Sequence, residues 1–262
     1  MMYCKTKEKK GFLMTLVVIC FLLITFYGYV KINNIYYQSL IQAPSTMSKT
    51  FSQKPIILWD IHDVLFEKNI FHWAFLIITA PNKWSMLAHL NTKSITLLIA
   101  YVLRKIKLSS QEVTSQELIN AARESSNTSL IDLIINVGCS YEPNYQAIAI
   151  AQELHLQGFI QHIGSNIGTQ VFAIFQQTHQ PIFALFQDYT IANPNDKGIV
   201  YKKPNTEFFI HYLKKHHLQP QDVIFIDDRP ANVYAAQQIG IRALHFSSAE
   251  QLEKDLKIIG II

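Results

Sequence analysis

The chain has 262 residues, 49% hydrophobic and 16% charged, with only nine glycines and nine prolines, which excludes a collagen-like or largely disordered protein. Its formal charge of +4 is concentrated at one end: Lys5, Lys7, Lys9 and Lys10 against Glu8 leave +1 for the other 252 residues, so there is no basic field of the size that nucleic acid needs. Three cysteines, Cys4, Cys20 and Cys139, exclude a disulfide scaffold within the chain and a cysteine-built zinc site.

Residues 1–10 read as a basic tail. Residues 11–30, GFLMTLVVICFLLITFYGYV, carry no charge, and as a helix rising about 1.5 Å per residue they cover roughly 30 Å of hydrocarbon. A single transmembrane anchor is expected. No small-x-small cleavage site follows at Lys31 to Tyr37, so the segment reads as retained rather than removed. Four lysines precede it and only Lys31 follows closely. The positive-inside rule then places the N-terminus in the cytoplasm and the main domain outside it, in the periplasm of a Gram-negative cell. Residues 31–53 are polar without an apolar period and read as a linker.

Five short apolar runs predict buried parallel strands: Pro55 to Trp59, Phe159 to Gly164, Tyr189 to Ala192, Val223 to Ile226 and Ile241 to Phe246. Helical patterns lie between them at Gln146 to Gln157, Thr206 to His217, Ala231 to Ile239 and Ala249 to Lys257. Alternating strands and helices predict an α/β fold, a Rossmann-like doubly wound parallel sheet, with its ligand crevice at the carboxyl ends of the strands. The core is assigned to residues 54–67 and 144–262. Residues 68–143 are too long for a loop and read as an inserted α-helical cap, with helices at Ile70 to Ala80, Trp84 to Leu103, Ser115 to Glu124 and Leu130 to Val137.

Four predicted strand ends carry polar residues that a buried sheet does not need. Asp60 ends the first strand, as a helix cap or as a metal-bound nucleophile, since a buried carboxylate requires compensation. Ser165 and Asn166 close the second, as a plain turn or as donors to an oxyanion. Lys203, before a helix opened by Pro204, can present a cation to phosphate or carboxylate, while Lys202 is expected in solvent. Asp227 and Asp228 repel each other unless a divalent cation binds between them and Asp60.

In order and spacing these four regions, above all FIDDRPANVYAA, resemble the haloacid dehalogenase-like (HAD) hydrolase superfamily over residues 54–246, with the insertion where that family carries its helical cap. The resemblance implies a phosphomonoesterase acting on a small phosphorylated substrate. Asp60 is then the nucleophile that becomes an aspartyl-phosphate; Ser165 and Asn166 bind phosphate; Lys203 balances charge; Asp60, Asp227, Asp228 and the His62 backbone carbonyl hold Mg2+; Asn232 supports the acidic loop. One position departs from the pattern. The acid/base Asp two residues after the nucleophile is replaced by His62, an imidazole able to exchange protons near neutral pH. Three other readings of that position stay open: His62 packs in a binding site that no longer turns over, Asp63 supplies the carboxylate, or the leaving groups need little protonation. Dehalogenation ranks below a phosphatase and below a silent binding protein.

Overall fold

The computed structural model describes residues 34–47, 51, 53–81, 96, 114–192 and 201–262. Ile56, Ile57, Leu58 and Trp59 form β1 (Ile56–Trp59), whose period of two sends Ile57 and Trp59 into one apolar cluster and Leu58 into the other. β4 (Gln161–Ser165), β5 (Asp188–Ile191), β6 (Val223–Asp227) and β7 (Arg242–His245) complete a five-stranded sheet. Its order is β5-β4-β1-β6-β7 and every pairing is parallel. All five strands overlap the expected runs, and β1, β4 and β6 lie side by side at the centre. Their carboxyl ends, which carry Asp60, Ser165 and Asp227, therefore open on one crevice.

Helices cover both faces. α4 (Tyr145–Leu156) and α9 (Ala249–Ile258) pack Ile148, Leu154, Leu252 and Leu256 into the cluster with Ile57 and Trp59. On the other face α7 (Thr206–His216) and α8 (Pro230–Gln238) bury Phe208, Phe209, Tyr212, Val233 and Ala236 with Leu58 and Phe225. Local chemistry starts and stops these helices. The Asn144 carboxamide accepts the Ala147 N–H at 3.1 Å, the Ser248 hydroxyl accepts the Gln251 N–H at 3.1 Å, and Gly240 leaves α8 with φ 88°. α5 (Thr169–Thr178) and α6 (Gln180–Phe183) follow β4 and were not expected; Phe172, Phe175 and Phe183 anchor them to the core.

The insertion grows from an antiparallel pair, β2 (Phe66–Lys68) and β3 (Tyr141–Pro143), a stem that the helical pattern concealed. α1 (Ile70–Thr79), α2 (Ser115–Glu124) and α3 (Thr128–Cys139) match three expected cap helices. Trp73 is buried, whereas Phe71, Phe75 and Ile78 are exposed. The run Trp84 to Leu103 lies outside the described residues apart from Thr96, as does the expected anchor at 11–30. Among the described residues no helix is long and apolar enough to cross a membrane.

The expected linker is partly built into the core. Residues 34–40 are helical, Tyr37 lies 5.7 Å from Tyr234 between ring centroids, and Met47 is buried. The Gln42 N–H donates to the Gln237 carboxamide at 2.7 Å, and that side chain returns a bond to the Gln42 carbonyl at 3.3 Å. The polar composition misled because docking here uses single residues rather than an apolar period.

Candidate active site

Asp60 leaves β1 with its N–H donated to the Ile226 carbonyl at 2.9 Å, which ties the first carboxylate to the strand that carries the second. Asp227 is fully buried at the end of β6. Its Oδ1 accepts the Arg229 N–H at 2.8 Å, and the Asn232 carboxamide donates to both carboxylate oxygens at 2.9 and 3.0 Å. Asn232 thus supports the acidic loop as expected. Asp228, half-buried, follows, and ligand oxygens of Asp60, Asp227 and Asp228 lie within 4.8 Å of one another.

Lys203 enters this cluster from the loop before α7. Its Nζ donates to Asp60 Oδ1 at 2.9 Å, Asp227 Oδ2 at 2.6 Å and the Gly164 carbonyl at 2.7 Å, so all three ammonium hydrogens are used. Burial alone would push its pKa down, but Asp227 and Asp60 outweigh that, and the ammonium is held above its ordinary range. Burial pushes the Asp227 carboxyl up; Lys203 opposes that and the charges of Asp60 and Asp228 add to it. One lysine against three carboxylates leaves the cluster short of positive charge, and its all-oxygen donors suit a hard divalent cation.

Ser165 stands beside these groups with its hydroxyl fully buried and, among the described residues, without a hydrogen-bond partner. A buried hydroxyl left this way costs free energy unless a ligand oxygen engages it. Asn166 is engaged by the lysine loop. Its carboxamide donates to the Lys203 carbonyl at 2.7 Å and accepts the Lys203 N–H at 2.8 Å. That side chain clamps the lysine loop, since the chain returns beside it 37 residues later.

Lys202 departs from expectation. Its Nζ meets Glu117 Oε1 at 2.7 Å, bridging the loop of Lys203 to the first turn of α2, where Glu117 completes a capping box with Thr114. Burial would raise the Glu117 pKa, but the bonds to Lys202 and Thr114 bring it below the ordinary value. Gly168 makes a second joint: its N–H donates to the Ser115 hydroxyl at 3.1 Å. No side chain fits there, because a Cβ would lie 2.7 Å from the Gln116 amide nitrogen.

The imidazole of His62 is not among the clustered ligand atoms; it lies against Tyr141 of the stem, with centroids 4.4 Å apart. Asp63 does not take its place. It is paired with Lys68 at 2.7 Å and lines a cavity of about 450 Å3 with Glu67, Asn144 and Ser247, whose walls include none of the three clustered carboxylates. Tyr141 belongs to no motif, and the Thr-x-x-Glu pattern that ends at Glu117 signals a helix start but not the bridge to Lys202.

Residues 184–246 match the haloacid dehalogenase-like hydrolase family. That stretch carries Lys203, Asp227 and Asp228, so this part of the site lies in the region similar to HAD-like hydrolases. The chain is 45% identical over 60 residues to flavin mononucleotide hydrolase 1 of Arabidopsis thaliana, covering 23% of this chain and 24% of that protein. It is 31% identical over 112 residues to the sesquiterpene phosphatase astK of Aspergillus oryzae (strain ATCC 42149 / RIB 40), covering 43% of this chain and 54% of that one. The chain therefore spans between a quarter and about half the length of these relatives. Among solved structures, the HAD-hydrolase YfnB from Bacillus subtilis bound to magnesium superposes with a TM-score of 0.53 at 16% identity, over 80% of this chain and all of that one. That likeness speaks for a shared HAD-like fold.

Proposed function

We propose that this protein is a membrane-anchored, Mg2+-dependent phosphomonoesterase that works through an aspartyl-phosphate on Asp60. The observation that carries the reading is the meeting of Asp60, Asp227 and Asp228 around Lys203, beside the buried hydroxyl of Ser165. The two curated relatives, a flavin mononucleotide hydrolase and a sesquiterpene phosphatase, support a small phosphorylated substrate.

Ser165 donates to a phosphoryl oxygen, and Lys203 aims the Asp60 carboxylate through its bond to Oδ1. Mg2+, held by Asp60, Asp227, Asp228 and the His62 carbonyl, would supply charge neutralisation for the phosphate. A carboxylate oxygen of Asp60 bonds to phosphorus as the bond to the leaving oxygen breaks; His62, as imidazolium, gives that oxygen its proton, and the alcohol departs neutral. Neutral His62 then takes a proton from water, whose oxygen bonds to phosphorus as the Asp60 ester bond breaks. Phosphate leaves, and the Asp60 carboxylate and imidazolium are restored. Residues 68–143 act as the cap that selects the alcohol, and residues 11–30 hold the domain outside the cytoplasm.

The second reading, a silent binding protein, is favoured by the replacement at position 62 and the packing of that ring on Tyr141. The full chain in detergent, assayed for phosphate release from 4-nitrophenyl phosphate and a panel of alkyl phosphates with Mg2+ or EDTA, separates the two. Turnover that EDTA removes and Asp60→Asn lowers at least on the order of 1,000-fold supports the enzyme. A folded wild type that releases nothing from the whole panel favours the binding protein. A reporter fused after Ile262 that behaves as cytoplasmic would overturn the orientation.

A further inference from the structure

We infer that Tyr141 and Trp73 are positioning residues for the imidazole of His62, so that the cap stem and first cap helix set its proton transfer. This rests on the phosphatase reading above. Residues 61–66 are folded back on themselves: the Leu65 and Phe66 N–H groups donate to the Ile61 carbonyl at 3.1 and 2.9 Å, and the Asp63 N–H donates to the Phe66 carbonyl at 2.7 Å. With the backbone fixed, the remaining freedom of His62 is its two side-chain torsions, the second of which is broad for a ring. A carboxylate one atom beyond Cβ needs little further guidance. An imidazole is longer and must be stopped by a wall.

The stem provides that wall. His62 and Tyr141 meet at a centroid distance of 4.4 Å and an interplanar angle of 54°. Tyr141 in turn meets Trp73 of α1 at 5.4 Å and 69°, an edge-to-face contact, and both are buried. Tyr141 also lies opposite Lys68 in the stem, and Lys68 pairs with Asp63 at 2.7 Å. The same two paired strands therefore hold the ring of residue 62 through Tyr141 and the carboxylate of residue 63 through Lys68. Where the resemblance calls for aspartate, this chain combines an imidazole with an aromatic tier that spans turn, stem and cap.

The consequence concerns leaving groups. An alkoxide needs the His62 proton as its bond to phosphorus breaks, whereas 4-nitrophenolate, a weak base, leaves almost as well without it. The test uses the full chain in detergent with Mg2+ and compares glycerol 2-phosphate with 4-nitrophenyl phosphate. Tyr141→Leu, which keeps most of the apolar volume without a ring, is expected to lower kcat on the alkyl ester on the order of tenfold, and by much less on the nitrophenyl ester. Tyr141→Phe keeps the ring and both rates. Trp73→Leu gives a smaller shift in the same ratio, and in the His62→Ala background Tyr141→Leu changes neither rate further. Equal losses on both esters, or an undiminished loss in the His62→Ala background, would show ordinary packing and overturn the inference while leaving the phosphatase reading intact. A wild type that hydrolyses neither ester overturns the inference together with the function on which it rests.

Discussion

Ser165 separates stability from chemistry at a single atom. Its hydroxyl is buried without a partner among the described residues, so removing it relieves an unsatisfied polar group and removes no bond. Ser165→Ala should leave the thermal midpoint unchanged or slightly raised while lowering kcat on a phosphomonoester on the order of 100-fold, the usual effect of deleting one donor to a transition-state oxygen. Calorimetry beside steady-state kinetics reads both; a clear loss of stability would mean that the hydroxyl has a structural partner. Lys203 contrasts with it, because its ammonium is fully committed to Asp60, Asp227 and Gly164. Removing it would leave two buried carboxylates uncompensated, so fold and site depend on the same group there.

Among the elements, the cap meets the core at small joints close to the site. The Glu117 and Lys202 pair is partly exposed and as an isolated interaction contributes well under about 1 kcal/mol. Its importance is positional, because Lys202 precedes the lysine that bridges Asp60 and Asp227. Gly168 is the more demanding joint. Gly168→Ala would press a methyl group to 2.7 Å from the Gln116 nitrogen and 2.8 Å from Ser115 Oγ, so α2 must retreat or the loop after β4 must shift. Destabilisation of about 1–3 kcal/mol is expected, measured as a lower urea midpoint at unchanged slope. An unchanged midpoint would show that cap and core are not joined at this place. These joints were not legible beforehand, since Ser115 and Gly168 are ordinary residues whose meaning comes from a contact across 53 positions.

Across the whole molecule, the sheet carries a second polar cluster, which is expected to weaken the fold in acid. His162, buried in β4, meets the Tyr212 hydroxyl at 3.0 Å through Nδ1 and the ring of His216 at a centroid distance of 4.5 Å, while His216 Nε2 is 3.4 Å from the Asp188 carboxylate. Burial, then the charge of His216, pushes the His162 pKa down to about 4; Asp188 opposes this and Lys215 adds to it. His216 is lowered too, again by burial first. With a folded pKa near 4 and an ordinary value of 6.5, the unfolded chain binds the extra proton throughout that window. The fold therefore loses stability as the pH falls through it, by about 2 kcal/mol from His162 between about pH 7 and about pH 5. His162→Gln should flatten this slope in urea titrations at the two pH values; an equal slope in the variant would assign the loss to other groups.

Seen over the whole chain, sequential information was enough for whatever depends on near neighbours. Apolar runs placed all five strands of the parallel sheet, most plainly β1, β4 and β6, which are buried on both faces and have no polar period to obscure them. The ends of three strands then located Asp60, Ser165 and the Asp227 and Asp228 pair, and the helix start at Pro204 located Lys203. Contacts between distant positions had to await the path of the chain. Tyr141 on His62, Glu117 on Lys202, Asn166 on the Lys203 backbone and Tyr37 on Tyr234 join residues dozens to nearly two hundred positions apart. Such pairs leave no periodic or compositional trace, because each is a single contact selected by how layers pack rather than by local conformational preference.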